Sequence, residues 1–199
     1  MSTTTAATIT KASLMSLEQY AKARPEYRKA AIAHKRLRKV HVGNHVTLMF
    51  EDEQTLRYQI QEILRAEKTF EEQGILDELE AYLPLLPTGK NLNATMLIEY
   101  TDEAERKVAL TKLKGIERKT WVQVEGSAKV YAIADEDLER ETETKTSAVH
   151  FLRFEFTKEM IEAVKYGVTI SVGVDHTNYT AMVSPLSPET RDALARDFG

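Results

Sequence analysis

The chain has no cysteine. That excludes disulfides, thiol nucleophiles and cysteine-ligated zinc or iron–sulfur clusters within it, and it fits a reducing compartment. No apolar run approaches the roughly 20 residues of a membrane helix, so no membrane association is expected. The N-terminal stretch Met1 to Thr10 lacks the apolar centre of a secretory signal; it is rich in Ser and Thr, and no acid precedes Glu18. Residues 1–15 therefore read as a disordered tail on a cytoplasmic protein. Nucleotide and hydrolase signatures are missing too: there is no G-x-G-x-x-G, no P-loop and no G-x-S-x-G. None of the five histidines pairs with another at a metal-motif spacing such as H-E-x-x-H. No cofactor is evident from motifs; a metal ion is the one cofactor the side chains below would suit.

What is present suits a globular chain. It has 199 residues, 42% of them hydrophobic and 29% charged, enough for one core. We expect a single domain over residues 16–199, with a sub-boundary near 88–91. The net charge of −4 gives no global attraction to nucleic acid or anionic membrane.

Ser16-Leu17-Glu18-Gln19 has the capping-box pattern of a helix start. Pro25 is expected to restart the chain as a second helix running to Lys39. That helix is basic, with Arg28, Lys29, Lys35, Arg36, Arg38 and Lys39 against Glu26. Gly43-Asn44 marks a turn into a strand from His45 to Phe50, with Val46, Leu48 and Phe50 on one face. Leu56, Ile60, Ile63 and Leu64 then recur at helical spacing, with Glu67 near the middle of their face and Gln59 at its edge. The next stripe, Ile75, Leu76, Leu79, Tyr82 and Leu83, is rotated by roughly 120° from the first. A break near Lys68 is required, and Thr69 with Glu72 supplies a second capping box.

Beyond Pro84 and Pro87, Leu92 to Tyr100 reads as a strand and Thr101 to Gly115 as a helix. Thr120–Val124 and Lys129–Ala134 read as a hairpin. A charged loop follows to Lys145, then a central strand from Ala148 to Phe156, a helix ending at Gly167, strands at 168–174 and 179–183, and a C-terminal helix opened by Ser187-Pro188. The order predicts an α+β fold with a largely antiparallel sheet, flanking helices and an N-terminal basic helix.

Three sets of residues bear on chemistry. Glu67 and Glu72, two carboxylates near a helix–helix turn, could hold a hard or borderline metal with a histidine from elsewhere; capping by Glu72 and a solvent-reaching Glu67 are the simpler account. Asp175-His176 could orient an imidazole for acid–base work, although both are ordinary turn residues. His150 lies on the apolar side of its strand and reads as a hydrogen-bonded core residue. The basic helix is the nucleic-acid candidate. The acidic run 51–80 balances it, so charge pairing within the chain or between subunits is preferred and nucleic acid is disfavoured. Gln59, Glu62, Arg65, Glu67 and His176 form the candidate polar pocket.

Several segments carry a resemblance: Tyr20 to Arg28, Val40 to Phe50 with Gly43, Tyr58 to Glu67, Leu92 to Glu99, and Asp175-His176-Thr177-Asn178-Tyr179. In these the chain resembles a bacterial family known only as a domain of unknown function, over nearly its whole length after the tail. Genes of that family often lie beside ones for rubrerythrin-like proteins and cysteine-rich iron–sulfur oxidoreductases. The resemblance thus implies an accessory or interaction role in a redox or peroxide-handling pathway, with an iron–sulfur or rubrerythrin-like protein as partner; the segregation of charge between helices adds the expectation of a homo-oligomer built through them. The chain departs from the family pattern at Leu83, where Asn is usual, and at His150, where an aromatic is usual. A metal-binding protein or metal-dependent enzyme using the helix carboxylates and a histidine is the second reading; nucleic-acid binding is the third.

Overall fold

The structure is a computed structural model and describes residues 9–136 and 140–199. The chain divides into two compact units, Met1–Leu37 with Glu51–Leu86, and Arg38–Phe50 with Pro87–Gly199. The chain therefore enters the second unit twice, once over a short excursion that local composition does not signal.

The first unit is helical. Of the stretch expected to be a tail, residues 1–8 lie outside the described residues, while Ile9 is buried and Lys11–Ser13 form a turn of 3-10 helix. Helix α1 (Leu17–Arg36) starts with the expected capping box: the Gln19 amide donates to the Ser16 hydroxyl and the Ser16 amide to the Gln19 side chain. Pro25 does not restart the chain but sits inside α1. It forfeits one backbone bond to the preceding turn. Packing on both sides of it carries the helix through, from Tyr20, Arg24 and Tyr27 onto helix α2 (Glu53–Glu67). The helix also ends at Arg36, so Arg38 and Lys39 are not part of it.

Asp52 caps α2 through the Thr55 amide, and Leu56, Ile60 and Leu64 bury its apolar stripe. Lys68 ends it in the left-handed region, φ 54°. The Thr69 amide donates back to the Leu64 carbonyl, which is the Schellman closure. That bond occupies Thr69 at the end of α2, and helix α3 (Glu72–Tyr82) starts from Glu71 instead. The expected Thr69–Glu72 capping box does not form; Glu72 is the first residue of α3. Ile9, Leu56, Ile60, Leu64 and Leu79 make the core of this unit.

The second unit is α+β. Its strands are β1 (Lys39–Val42), β2 (Val46–Glu51), β3 (Asn91–Ile98), β4 (Thr120–Val124), β5 (Val130–Tyr131), β6 (Ile133–Ala134), β7 (Val149–Glu155), β8 (Ile170–His176) and β9 (Tyr179–Val183). Its helices are α4 (Glu103–Lys112), α5 (Lys158–Lys165) and α6 (Pro188–Ala195). Five strands order as β1-β2-β3-β7-β6 and four as β5-β4-β8-β9. The pairings β1–β2, β3–β7, β6–β7, β4–β5, β4–β8 and β8–β9 are antiparallel. Alternation along the strands sends Leu48, Phe50, Met96 and Phe154 from one sheet, and Val122, Val172 and Val174 from the other, into one core.

The expected strand over Lys129–Ala134 is in fact divided. Val130 pairs with Val122 in the four-stranded sheet, and Ile133 pairs with Arg153 in the five-stranded one. The chain changes sheets at Ala132, which is buried. Among the described residues no helix is long and apolar enough to cross a membrane.

Candidate functional site

On α2 the candidate residues are held in different ways. Glu62 is the centre of a network. Arg24 donates to both of its oxygens at 2.8 and 2.9 Å, and the buried Tyr20 hydroxyl donates at 2.6 Å. The Arg24 fork, opposed by burial and helped by Tyr20, holds the Glu62 carboxyl down at about 2. Burial, with the Glu62 carboxylate next to it, pushes the Tyr20 phenol up. Tyr27 bridges the aromatic side of the same helix pair, 5.6 Å from Tyr20 and 6.4 Å from Tyr58 between ring centroids. Gln59 reaches the Tyr82 hydroxyl, whose pKa burial raises and the Glu78 charge raises further.

Arg65 and Glu67 are exposed. Glu67 does not sit on the buried stripe, because its place in the last turn of α2 lets the carboxylate reach solvent. Glu72 binds Lys11 at 2.7 Å, which lowers its pKa. Among the described residues no three His, Asp or Glu side chains are grouped to hold a metal ion.

The Glu62 network has a measurable signature. An unfolded glutamate titrates near ~4.3, so a depressed folded pKa stabilises the fold above that pH and the gain is lost as the pH falls towards about 2. Wild type should lose about 1–3 kcal/mol more than Glu62→Gln between pH 5 and 2. Denaturant melts at each pH check this; parallel pH profiles for the two proteins would refute it.

His176 belongs to the second unit. Its Nε2 bonds to the Lys114 carbonyl at 2.9 Å and its Nδ1 accepts from the Asn178 amide at 3.1 Å. Both ring nitrogens are thus engaged by backbone. Asp175, its neighbour on β8, points to the other face of the strand and takes Lys129 at 2.7 Å and Tyr131 at 2.8 Å. Asp175 therefore does not orient His176. The histidine fastens the β8–β9 turn beside the end of α4, and Asn178 adds a bond to the Lys112 carbonyl.

That fastening builds a site with no motif to announce it. The Tyr179 hydroxyl donates to the Val42 carbonyl and accepts from the His45 amide at 3.1 Å. Gly43 makes room for it: a Cβ there would lie 2.5 Å from the Tyr179 hydroxyl, and the backbone φ is +73°. The Glu99 amide in turn donates to the His45 carbonyl at 2.7 Å. His45 Nδ1 faces the Glu99 carbonyl at 2.9 Å, and its ring lies parallel to Tyr100 at 3.9 Å. Burial, then the neighbouring Tyr179 and Glu105, raise the Tyr100 pKa.

Two depressions flank Tyr100. One, of about 520 Å³, runs along α4 over Val108, Ala109 and Leu113 to Asn178. The other, of about 600 Å³, lies over Leu97, Ile98 and Val149 and reaches His45, Glu99 and Arg106. Their sizes and mainly apolar walls are those of small-molecule sites. The Val40–Phe50, Leu92–Glu99 and Asp175–Tyr179 segments singled out in the sequence meet here.

Fold and site define an α+β protein whose second unit joins two antiparallel sheets and opens grooves around a stacked His–Tyr pair. The chain belongs to the family described as "Protein of unknown function (DUF3501)", which it matches over residues 8–198. It is similar to a solved structure, a novel protein of unknown function from Burkholderia pseudomallei K96243. The two are 51% identical with a TM-score of 0.92, over 96% of this chain and 100% of the other. No curated protein matches.

Proposed function

We propose that this chain is an accessory, partner-binding protein of a cytoplasmic redox or peroxide-handling pathway, with an iron–sulfur or rubrerythrin-like protein as the partner. The observation that carries the binding role is the commitment of the best chemical candidates to internal bonds. Arg24 and Tyr20 occupy Glu62, and backbone groups occupy both nitrogens of His176. Arg65 and Glu67 stay exposed on α2, and they form the charged part of the partner-facing surface. The pathway comes from the family resemblance.

Affinity purification from the native host tests this. A redox protein is expected to elute with the chain at fixed stoichiometry and to be lost from the Arg65→Glu/Glu67→Lys double variant. Both substitutions are on exposed side chains, so the variant should melt as wild type does. A chain that elutes alone, or a partner indifferent to the double variant, would overturn the proposal.

A further inference from the structure

We propose that the groove beside Tyr100 binds a small organic acid with an aromatic or branched apolar body, and that Arg106 receives its carboxylate. Four observations converge on this ligand class. Arg106 is partly buried on α4 and lines the larger depression. Its guanidinium has no hydrogen-bond or ion-pair partner among the described residues. A half-buried arginine without an anion is open to one, and its fork matches a carboxylate in two parallel bonds.

The walls next to it are apolar: Leu97, Ile98, Ala148 and Val149. The floor ends on the Tyr100 ring, whose stacking on His45 fixes it as a flat contact surface. Charge on the rim limits the ligand's own charge. Glu99 lines this depression with Arg106, while Glu105 and Lys112 together line the adjoining one. A single arginine sharing its depression with a glutamate suits a single negative charge and opposes the nearly double charge of a phosphate monoester.

The site is also rigid. The Glu99 carboxylate is tied to the Thr47 hydroxyl, His45 is held by the Glu99 carbonyl and the Tyr179 hydroxyl, and α4 is capped by Asp102 at 2.8 Å. A preformed pocket loses little entropy on binding. The inference goes beyond partner binding, and either can fail alone.

The test is titration of the full chain with 3-phenylpropionate, 4-methylpentanoate, 3-phenylpropanol and phenyl phosphate, followed by amide chemical shifts and calorimetry. The two carboxylates should bind with Kd of about 1 mM or tighter and shift the amides of residues 97–101 and 104–109. The alcohol and the phosphate should bind at least about tenfold more weakly. Arg106→Gln should weaken the acids by about tenfold or more with an unchanged melting temperature, while Arg106→Lys retains part of the affinity. Val149→Asp should abolish binding of the apolar body while leaving Arg106 in place. Acids that bind no better than the alcohol, or shifts unaffected by Arg106→Gln, would overturn the proposal.

Discussion

Replacing Arg38 with methionine is expected to cost about 3–5 kcal/mol, the range for removing one partner of a buried ion pair. Arg38 is 1% exposed. Its Nε donates to the Phe50 carbonyl at 2.9 Å, its Nη1 to the Ala193 carbonyl at 3.0 Å, and its Nη2 pairs with Asp197. Methionine fills similar volume and so isolates the electrostatic loss from cavity formation. It leaves the Asp197 carboxylate, 5% exposed, without its cation. Lysine would fare little better, since one ammonium cannot serve three acceptors set out for a planar fork. Adding Asp197→Leu to the methionine variant should recover much of the loss, because an apolar replacement for the whole pair is close to neutral. Chemical denaturation of the single and double variants measures both. A cost under about 1 kcal/mol for Arg38→Met, or no recovery in the double variant, would show that the pair does not hold the C-terminal helix in place.

Replacing His150 with phenylalanine is expected to cost about 2–4 kcal/mol, although the resemblance places an aromatic at this position. His150 is fully buried. Its Nδ1 faces Asp135 at 2.6 Å, and its Nε2 faces the Ser147 carbonyl at 3.0 Å and the Thr146 hydroxyl at 2.9 Å. Glu117 Oε2 lies 4.0 Å from Nε2, buried and without a hydrogen bond. The Asp135 carboxylate accepts from the ring at Nδ1, while the Thr146 hydroxyl at Nε2 can either give or take a bond.

Phenylalanine would fit the space but remove the ring N–H that serves Asp135 and the ring nitrogen nearest Glu117 Oε2, leaving Asp135 with Arg140 at 3.4 Å and Glu117 with Arg118 at 2.9 Å. Asp135 would keep the Phe151 amide at 3.1 Å, which is why the expected cost is below that at Arg38. Adding Glu117→Gln and Asp135→Asn should restore part of the loss, and thermal melts of the single and triple variants decide it. If His150→Phe alone is neutral, the ring serves as packing and the carboxylates around it are held some other way. If the substitution is costly as expected, relatives with an aromatic here should lack an acid at one of the two facing positions.

These two residues also show where local sequence stops informing. The break between α2 and α3 was legible because two apolar stripes out of phase cannot lie on one straight helix. The alternation of Val46, Leu48 and Phe50, and of His150, Leu152 and Phe154, gave the inward faces of β2 and β7 for the same reason. Arg38 looked like one more base on a solvated helix. Its partner Asp197 is 159 residues away, and nothing local distinguishes a buried arginine from an exposed one. Pro25 misled because a local rule about helix starts yielded to tertiary packing against α2.

The candidate polar pocket divided in the same way. Glu62 reads as a charge on a helix, and only the approach of α1 shows that it is already taken. His176 looked reactive because it follows an aspartate, yet strand geometry sends the two side chains to opposite faces. The groove beside Tyr100 had no spacing to reveal it, since its walls come from β3, α4, the turn before β2 and the start of β7.

The sheet change at Ala132 has a consequence for how the second unit comes apart. Tyr131 pairs in one sheet, where the Ala132 amide also bonds to the Thr120 carbonyl at 2.9 Å, and Ile133 pairs in the other, with no free residue between them. Neither sheet can slide or peel by more than a fraction of a strand spacing without tearing its share of this stretch. Slow amide exchange at Val122 and at Leu152 should therefore report one opening event with one free energy, as belongs to a single cooperative unit and not to two layers that happen to touch.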